Sequence, residues 1–227
     1  MDTKITRRIS HIANRAISSV YSIVGNEKAN YPRQVNVTGA NTATLDFIKS
    51  TDCKMIAEVG IYKGHTSIEI ADILNGEGEL HLFDYHDRVQ EVAEAINAKG
   101  HNNVKTFGCS YKTLDSYNWP LAKLLRENEK PIYDYVFIDG AHTFAVDALA
   151  FVIADRLLKV GGYMDFDDYD WTLNSSPTLN PGVFPITGKM YTDEQIKSRQ
   201  VKMVIDLFVR RSENYKEVVE NKIFQKI

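Results

Sequence analysis

Two apolar rhythms alternate along this chain. Short, nearly continuous apolar runs suit strands covered on both faces. Between them, apolar residues return every three or four positions, as on one side of a helix. Met55–Val59 is the first run, broken only by Glu58 and ended by Gly60, and His65-Thr66-Ser67 then opens a helix through Ile68, Ile70, Ala71, Ile73 and Leu74. Further strands are predicted over 79–83, 104–107, 132–138 and 163–166, with helices over 87–99 and 144–158. Pro120 within 111–129 predicts a kinked helix or two short ones, and Gly161-Gly162 a turn before the fifth strand. Thr192-Asp-Glu-Gln195 is a capping box that opens the last helix, with Arg210 and Arg211 where its dipole favours cations. Residues 218–219 and 223–227 read as a closing hairpin. Five βα units and a hairpin predict an α/β, three-layer sandwich around a mostly parallel seven-stranded sheet with a C-terminal antiparallel hairpin.

Ahead of these units, Ile5, Ile9, Ile12, Ala16, Val20 and Val24 stand at near-helical spacing, with Lys4, Arg7, Arg8 and Arg15 between them. Residues 1–50 are therefore expected to form an N-terminal helical extension. It would pack on the flank of the domain or serve as a lid, an oligomer contact or a membrane-surface helix. Gly25 would stop its first helix, the stretch to Thr44 with Pro32 would be irregular, and a short helix would cover Leu45, Phe47 and Ile48. Residues 51–227 are expected to form the main domain.

Composition narrows the function classes. The 227 residues are 44% hydrophobic and 25% charged, enough for a sizeable core. Lys+Arg 27 against Asp+Glu 30 gives −3, so no global field attracts nucleic acid. Cys53 and Cys109 form no Cys-x-x-Cys, which fits a reducing compartment. No apolar run approaches the ~18 residues of a membrane span. Arg7, Arg8 and Arg15 interrupt any signal-peptide core, and a cytoplasmic location is expected.

Candidate chemistry gathers at the carboxyl ends of the predicted strands, where doubly wound sheets bind ligands. The first turn reads Glu58-x-Gly60-x-x-x-Gly64, with Tyr62 inside it, and lacks the middle glycine that a dinucleotide-binding loop needs. A carboxylate two places before the turn suits an amine or another cation and repels a diphosphate. An NAD-linked oxidoreductase is therefore disfavoured. Asp84 follows Gly60 by 24 residues, where an acidic side chain accepts hydrogen bonds from ribose hydroxyls. Asp139, Asp165, Asp167, Asp168 and Asp170 crowd the ends of two strands expected to be neighbours, and such carboxylates raise one another's pKa unless a cation joins them. Mg²⁺ or another hard divalent ion would relieve that crowding. Water-facing loop aspartates are the plainer alternative.

The Glu-x-Gly turn with its Asp84 resembles the first motifs of Rossmann-like S-adenosylmethionine-dependent methyltransferases. Phe-Ile-Asp139-Gly, with Gly-Gly-Tyr-x-x-x-Asp167-Asp168-Tyr-x-Trp, is similar to the metal-dependent O-methyltransferases of the caffeoyl and macrocin types. That resemblance implies S-adenosylmethionine held by Glu58, Gly60, Tyr62, Gly64, Asp84 and Asp139. It also implies an adenine contact near Cys109 and Ser110, and a divalent metal on Asp139, Asp167 and Asp168. At the base the chain departs from both types: His142 stands where the caffeoyl type has lysine, and Ala141 where the macrocin type has aspartate. His142 is then the candidate base, with an unperturbed pKa of about 6.5, and Asp139 the second catalytic residue. The expected reaction is O-methylation of a small polar acceptor such as a sugar, sugar nucleotide or polysaccharide precursor, and homo-oligomerisation stays open. The rival expectations are a metal-independent methyltransferase on another small molecule, or a non-catalytic nucleotide- or partner-binding protein on the same fold.

Overall fold

The structure, a computed structural model, describes residues 39–227. The helix expected over 1–24, its stop at Gly25 and most of the irregular stretch after it lie outside the described residues. After α1 (Thr42–Lys49) the chain alternates β1 (Met55–Val59), α2 (His65–Leu74), β2 (Glu79–Tyr85), α3 (His86–Ala98), β3 (Val104–Cys109), α4 (Asn118–Glu127), β4 (Tyr133–Ile138), α5 (Phe144–Leu157) and β5 (Leu158–Phe166). Short helices α6 (Thr187–Met190), α7 (Asp193–Lys197) and α8 (Gln200–Val204) follow, then a π-helical turn over Ile205–Val209 and the hairpin β6 (Tyr215–Val219) and β7 (Ile223–Lys226). The seven strands form one sheet in the order β3-β2-β1-β4-β5-β7-β6. β1 to β5 run parallel, and β7 enters antiparallel between β5 and β6.

Strand alternation divides the core into two layers. Ile56, Leu80, Leu82, Tyr135 and Phe137 face α1, α2 and α3, while Ala57, Val59, Phe83, Val136 and Ile138 face α4, α5 and α8. Phe83, Phe137, Phe166 and Phe224 are fully buried, each contributing about 1.5–3 kcal/mol. Asp165 and Asp167 fall on the first of these faces, toward α1.

Four local expectations are corrected. Pro120 does not kink or split a helix, because it sits in the first turn of a single α4, where a missing N–H costs little. Gly161-Gly162 does not precede the fifth strand but forms a bulge within it. Tyr133 pairs with Leu158 and Tyr135 with Tyr163, so five steps of β5 oppose two of β4, and Gly161 adopts φ +84. The capping box at Thr192 forms, yet its helix ends at Lys197 and the chain restarts in α8. Residues 42–44 belong to α1, whose N-cap Asn41 accepts from Thr44 N. Among the described residues, no helix is long and apolar enough to cross a membrane.

Candidate active site

The carboxyl ends of β2, β1, β4 and β5 are stitched together by their backbones. Gly60 N donates to the Phe83 carbonyl at 2.7 Å, Asp139 N to Val59 at 2.8 Å and Asp167 N to Ile138 at 3.0 Å. Gly60 sits at φ +87, and a Cβ there would stand 2.2 Å from the Asp139 carbonyl oxygen. Only glycine allows the turn after β1 to press against the turn after β4. Gly64 caps α2 at φ +73, and a Cβ there would strike the Val92 methyl groups of α3 at 2.4 Å. Its absent side chain therefore serves helix packing.

Glu58 is wholly buried, and its Oε2 has no hydrogen-bond partner; neither has Ser67 Oγ on α2. Burial pushes the Glu58 carboxyl up to about 8, and the charge of Asp84 adds to the rise. The Ser67 hydroxyl is near enough to offset part of it without forming a bond of ordinary geometry. An orphaned buried acid of this kind fits a ligand ammonium.

Asp84 clamps the first turn. Its Oδ2 accepts from Ile61 N at 2.9 Å and Tyr62 N at 3.1 Å, and its Oδ1 from Tyr85 N at 2.6 Å, with the Arg88 guanidinium 3.6 Å away. Three amides thus take three of about four acceptor positions on this carboxylate, leaving room for one hydroxyl. Tyr62, at φ +46, lies beside it with Lys63 and Arg88 over its ring. Tyr85 and Tyr111 stack at 4.1 Å, and the Tyr111 hydroxyl donates to Asp87. Cys109 is buried, its thiol pushed up to about 12 chiefly by burial and then by Asp115 and Asp84. It is a neutral wall. Ser110 gives both its N–H and its hydroxyl to Asp115.

At the other half of the mouth the structure brings Asp139, His142 and Asp168 together. Their candidate ligand atoms lie within 4.8 Å of one another. His142 Nε2 is 3.3 Å from Asp168 Oδ2 and 3.8 Å from Asp139 Oδ1, with the Trp171 ring at 5.3 Å. His142 and Asp168 both hold positive φ, +53 and +59. Burial drives the Asp139 carboxyl well above the usual carboxylate range, with Asp167, Glu58 and Asp168 adding their charges. Burial also raises Asp168, against the pull of His142. Asp167 is turned elsewhere: its Oδ1 accepts from Asn41 Nδ2 at 2.9 Å and lies 3.6 Å from Lys222 Nζ. Asp170 pairs with Arg199 at 3.0 Å. Asp165 is fully buried, accepting from the Thr44 and Tyr135 hydroxyls at 2.7 and 2.6 Å, with Lys222 Nζ at 3.0 Å.

Sequence reasoning missed the residues that hold this arrangement. The Tyr117 hydroxyl accepts from Ala141 N at 3.0 Å, donates to Asp147 at 2.5 Å, and sits where a Cβ on Gly140 would be. Asp147 is buried in the first turn of α5, and an acid inside so apolar a helix was the available signal. Asn41, Thr44 and Lys222 gave none.

A methyltransferase-domain family model matches residues 57–169, from β1 to the loop after β5. No curated protein matches the chain in sequence. Among solved structures, the S-adenosylhomocysteine-bound methyltransferase PaMTH1 of Podospora anserina is similar at TM-score 0.56 and 16% identity, covering 99% of this chain and 95% of its own. A candidate caffeoyl-CoA O-methyltransferase of Staphylococcus aureus reaches 0.54 and 18% over 84% and 86%. An O-methyltransferase of Bacillus cereus in complex with S-adenosylhomocysteine reaches 0.54 and 15% over 94% and 89%. At such identities these likenesses concern the fold, and the matched domain supplies the family. The chain belongs to the class I S-adenosylmethionine-dependent methyltransferases.

Proposed function

We propose that this methyltransferase alkylates an oxygen of a small polar acceptor, with a sugar, sugar nucleotide or polysaccharide precursor as the acceptor class. The observation that carries the reading is the meeting of His142 with Asp139 and Asp168 at the strand ends. It is supported by the O-methyltransferases among the similar folds, and the acceptor class by the resemblance of the aspartate-rich motif after β5 to the macrocin type. S-adenosylmethionine, when bound, supplies an electrophilic methyl carbon on a positively charged sulfur.

The chain's own residues do the rest. Glu58 takes the ammonium of the methionine end, Asp84 the ribose, and Cys109 and Ser110 line the adenine side. His142 Nε2 accepts the proton of the acceptor hydroxyl. Asp139 and Asp168 would hold a divalent cation, which lowers the pKa of a bound hydroxyl. Asp167 would join only by leaving Asn41 and Lys222. Alignment of oxygen against methyl carbon is the largest contribution the fold can make, worth up to about 7–11 kcal/mol when complete. The described residues ahead of β1 touch the mouth through Asn41 and Thr44.

Calorimetry with S-adenosylhomocysteine, with and without Mg²⁺, tests both halves. Binding should weaken about tenfold or more in Asp84→Ala, which loses a charged acceptor. An unchanged titration removes Asp84 from the ribose. Methyl transfer that survives a chelator removes the cation.

A further inference from the structure

Lys222 is the only cation that the described residues place beside both Asp165 and Asp167. It sits in the turn of the β6–β7 hairpin, and that turn is locked. Lys222 N donates to Val219, and its carbonyl accepts from Phe166 N at 3.0 Å. Asn221 holds φ +57 beside it and accepts from Arg210. The Lys222 stem crosses the Phe137 ring with Nζ 5.0 Å from its centroid, leaving 16% of the side chain exposed. Nζ then meets Asp165 Oδ1 at 3.0 Å, Asp167 Oδ1 at 3.6 Å and the Phe166 carbonyl at 3.4 Å. The same Asp167 oxygen accepts from Asn41 Nδ2. The Lys222 charge also reaches Asp139 and Asp168, where it favours the ionised forms. A divalent ion at the Asp139–Asp168 corner and the Lys222 ammonium are therefore like charges drawing on one set of carboxylates.

We propose that Lys222 is a positioning residue that divides the acidic mouth in two. It keeps Asp165 and Asp167 in an internal ion pair and leaves Asp139 and Asp168, beside His142, as the corner open to a cation. In doing so it sets how tightly that cation is held. The proposal rests on reading that corner as the cation site, and its test separates the two.

The experiment titrates Mn²⁺ into the full chain, reading the free ion by electron paramagnetic resonance, with thermal melts to confirm folding. In Lys222→Gln the amide can still donate to Asp165, but the charge is gone. Mn²⁺ affinity should rise about tenfold or more, the scale of one unit charge acting over several ångströms near a protein surface. Lys222→Arg should match the wild type. Asp167→Asn removes a negative charge beside the corner but no ligand and should lose about tenfold, while Asp168→Asn removes charge and ligand together and should lose about a hundredfold. Affinity unchanged in Lys222→Gln overturns the proposal while leaving the cation site standing. Equal losses in Asp167→Asn and Asp168→Asn overturn the division, and these two variants decide it should Lys222→Gln fail to fold. A wild type that takes up no Mn²⁺ removes the cation site. Uptake gained in Lys222→Gln would then still sustain the role of Lys222, and its absence there would end it.

Discussion

The buried carboxyl of Glu58 makes a prediction that can be worked through in numbers. From an ordinary 4.5, burial carries it to about 8. At about 1.4 kcal/mol per pH unit, ionising it inside the folded protein costs on the order of 5 kcal/mol. The folded pKa lies above the unfolded one, so this group's contribution to stability is complete below about pH 4.5 and fades as pH rises through 8. Glu58→Gln should remove that slope. Urea unfolding between pH 5 and 8 should therefore show the wild type losing about 3–5 kcal/mol relative to the variant. Cofactor binding has the opposite sense. At pH 7 the free carboxyl is about nine-tenths protonated, and an arriving ammonium favours the carboxylate. Binding of S-adenosylhomocysteine, which carries the same ammonium, should release close to one proton and tighten about tenfold between pH 6 and 7, levelling above 8. Calorimetry in buffers of different ionisation enthalpy counts that proton. No proton released, together with a Gln variant that binds as tightly as wild type at pH 8, would falsify the pairing of Glu58 with the ammonium.

Three further perturbations test the rest of the site. Gly60→Ala drives a methyl into the Asp139 carbonyl at φ +87 and should destabilise by about 2 kcal/mol or more in denaturant melts; a neutral result would mean the two turns are free to part. His142→Gln should lower kcat about a hundredfold while S-adenosylhomocysteine affinity stays within about twofold, and a wild-type kcat would remove it as base. Tyr117→Phe strands Ala141 N and a buried Asp147 oxygen, costing about 1–3 kcal/mol, and should lower kcat more than it raises KM; equal changes in both would point to binding alone.

The sheet was legible in the sequence because burial writes itself into apolar rhythm. Met55–Val59 and the helix opened at His65 fall where the pattern placed them. Gly60, Asp84 and the paired ends of β4 and β5 were legible because doubly wound sheets expose that edge. Less local features were not. Pro120 reads alike at the start or the middle of a helix, and Gly161 reads alike as turn or bulge. Which aspartates face each other across the mouth depends on Asn41, Tyr117 and Lys222, whose contacts obey no periodicity. The spacing crowds carboxylates at one mouth, where positive charge is called for. That part of this charge comes from a lysine in the closing hairpin could be learned only from the fold.

Asn41 reaches Asp167 across 126 positions, and Thr44 reaches Asp165 across 121. Closing so wide a loop is slow relative to local pairing, since its entropy is lost before any contact compensates. A chain recovering from denaturant should thus regain most of its helicity while the mouth is still slack. Competence then arrives as the last event of folding, when strands born far apart draw the pocket shut like a purse.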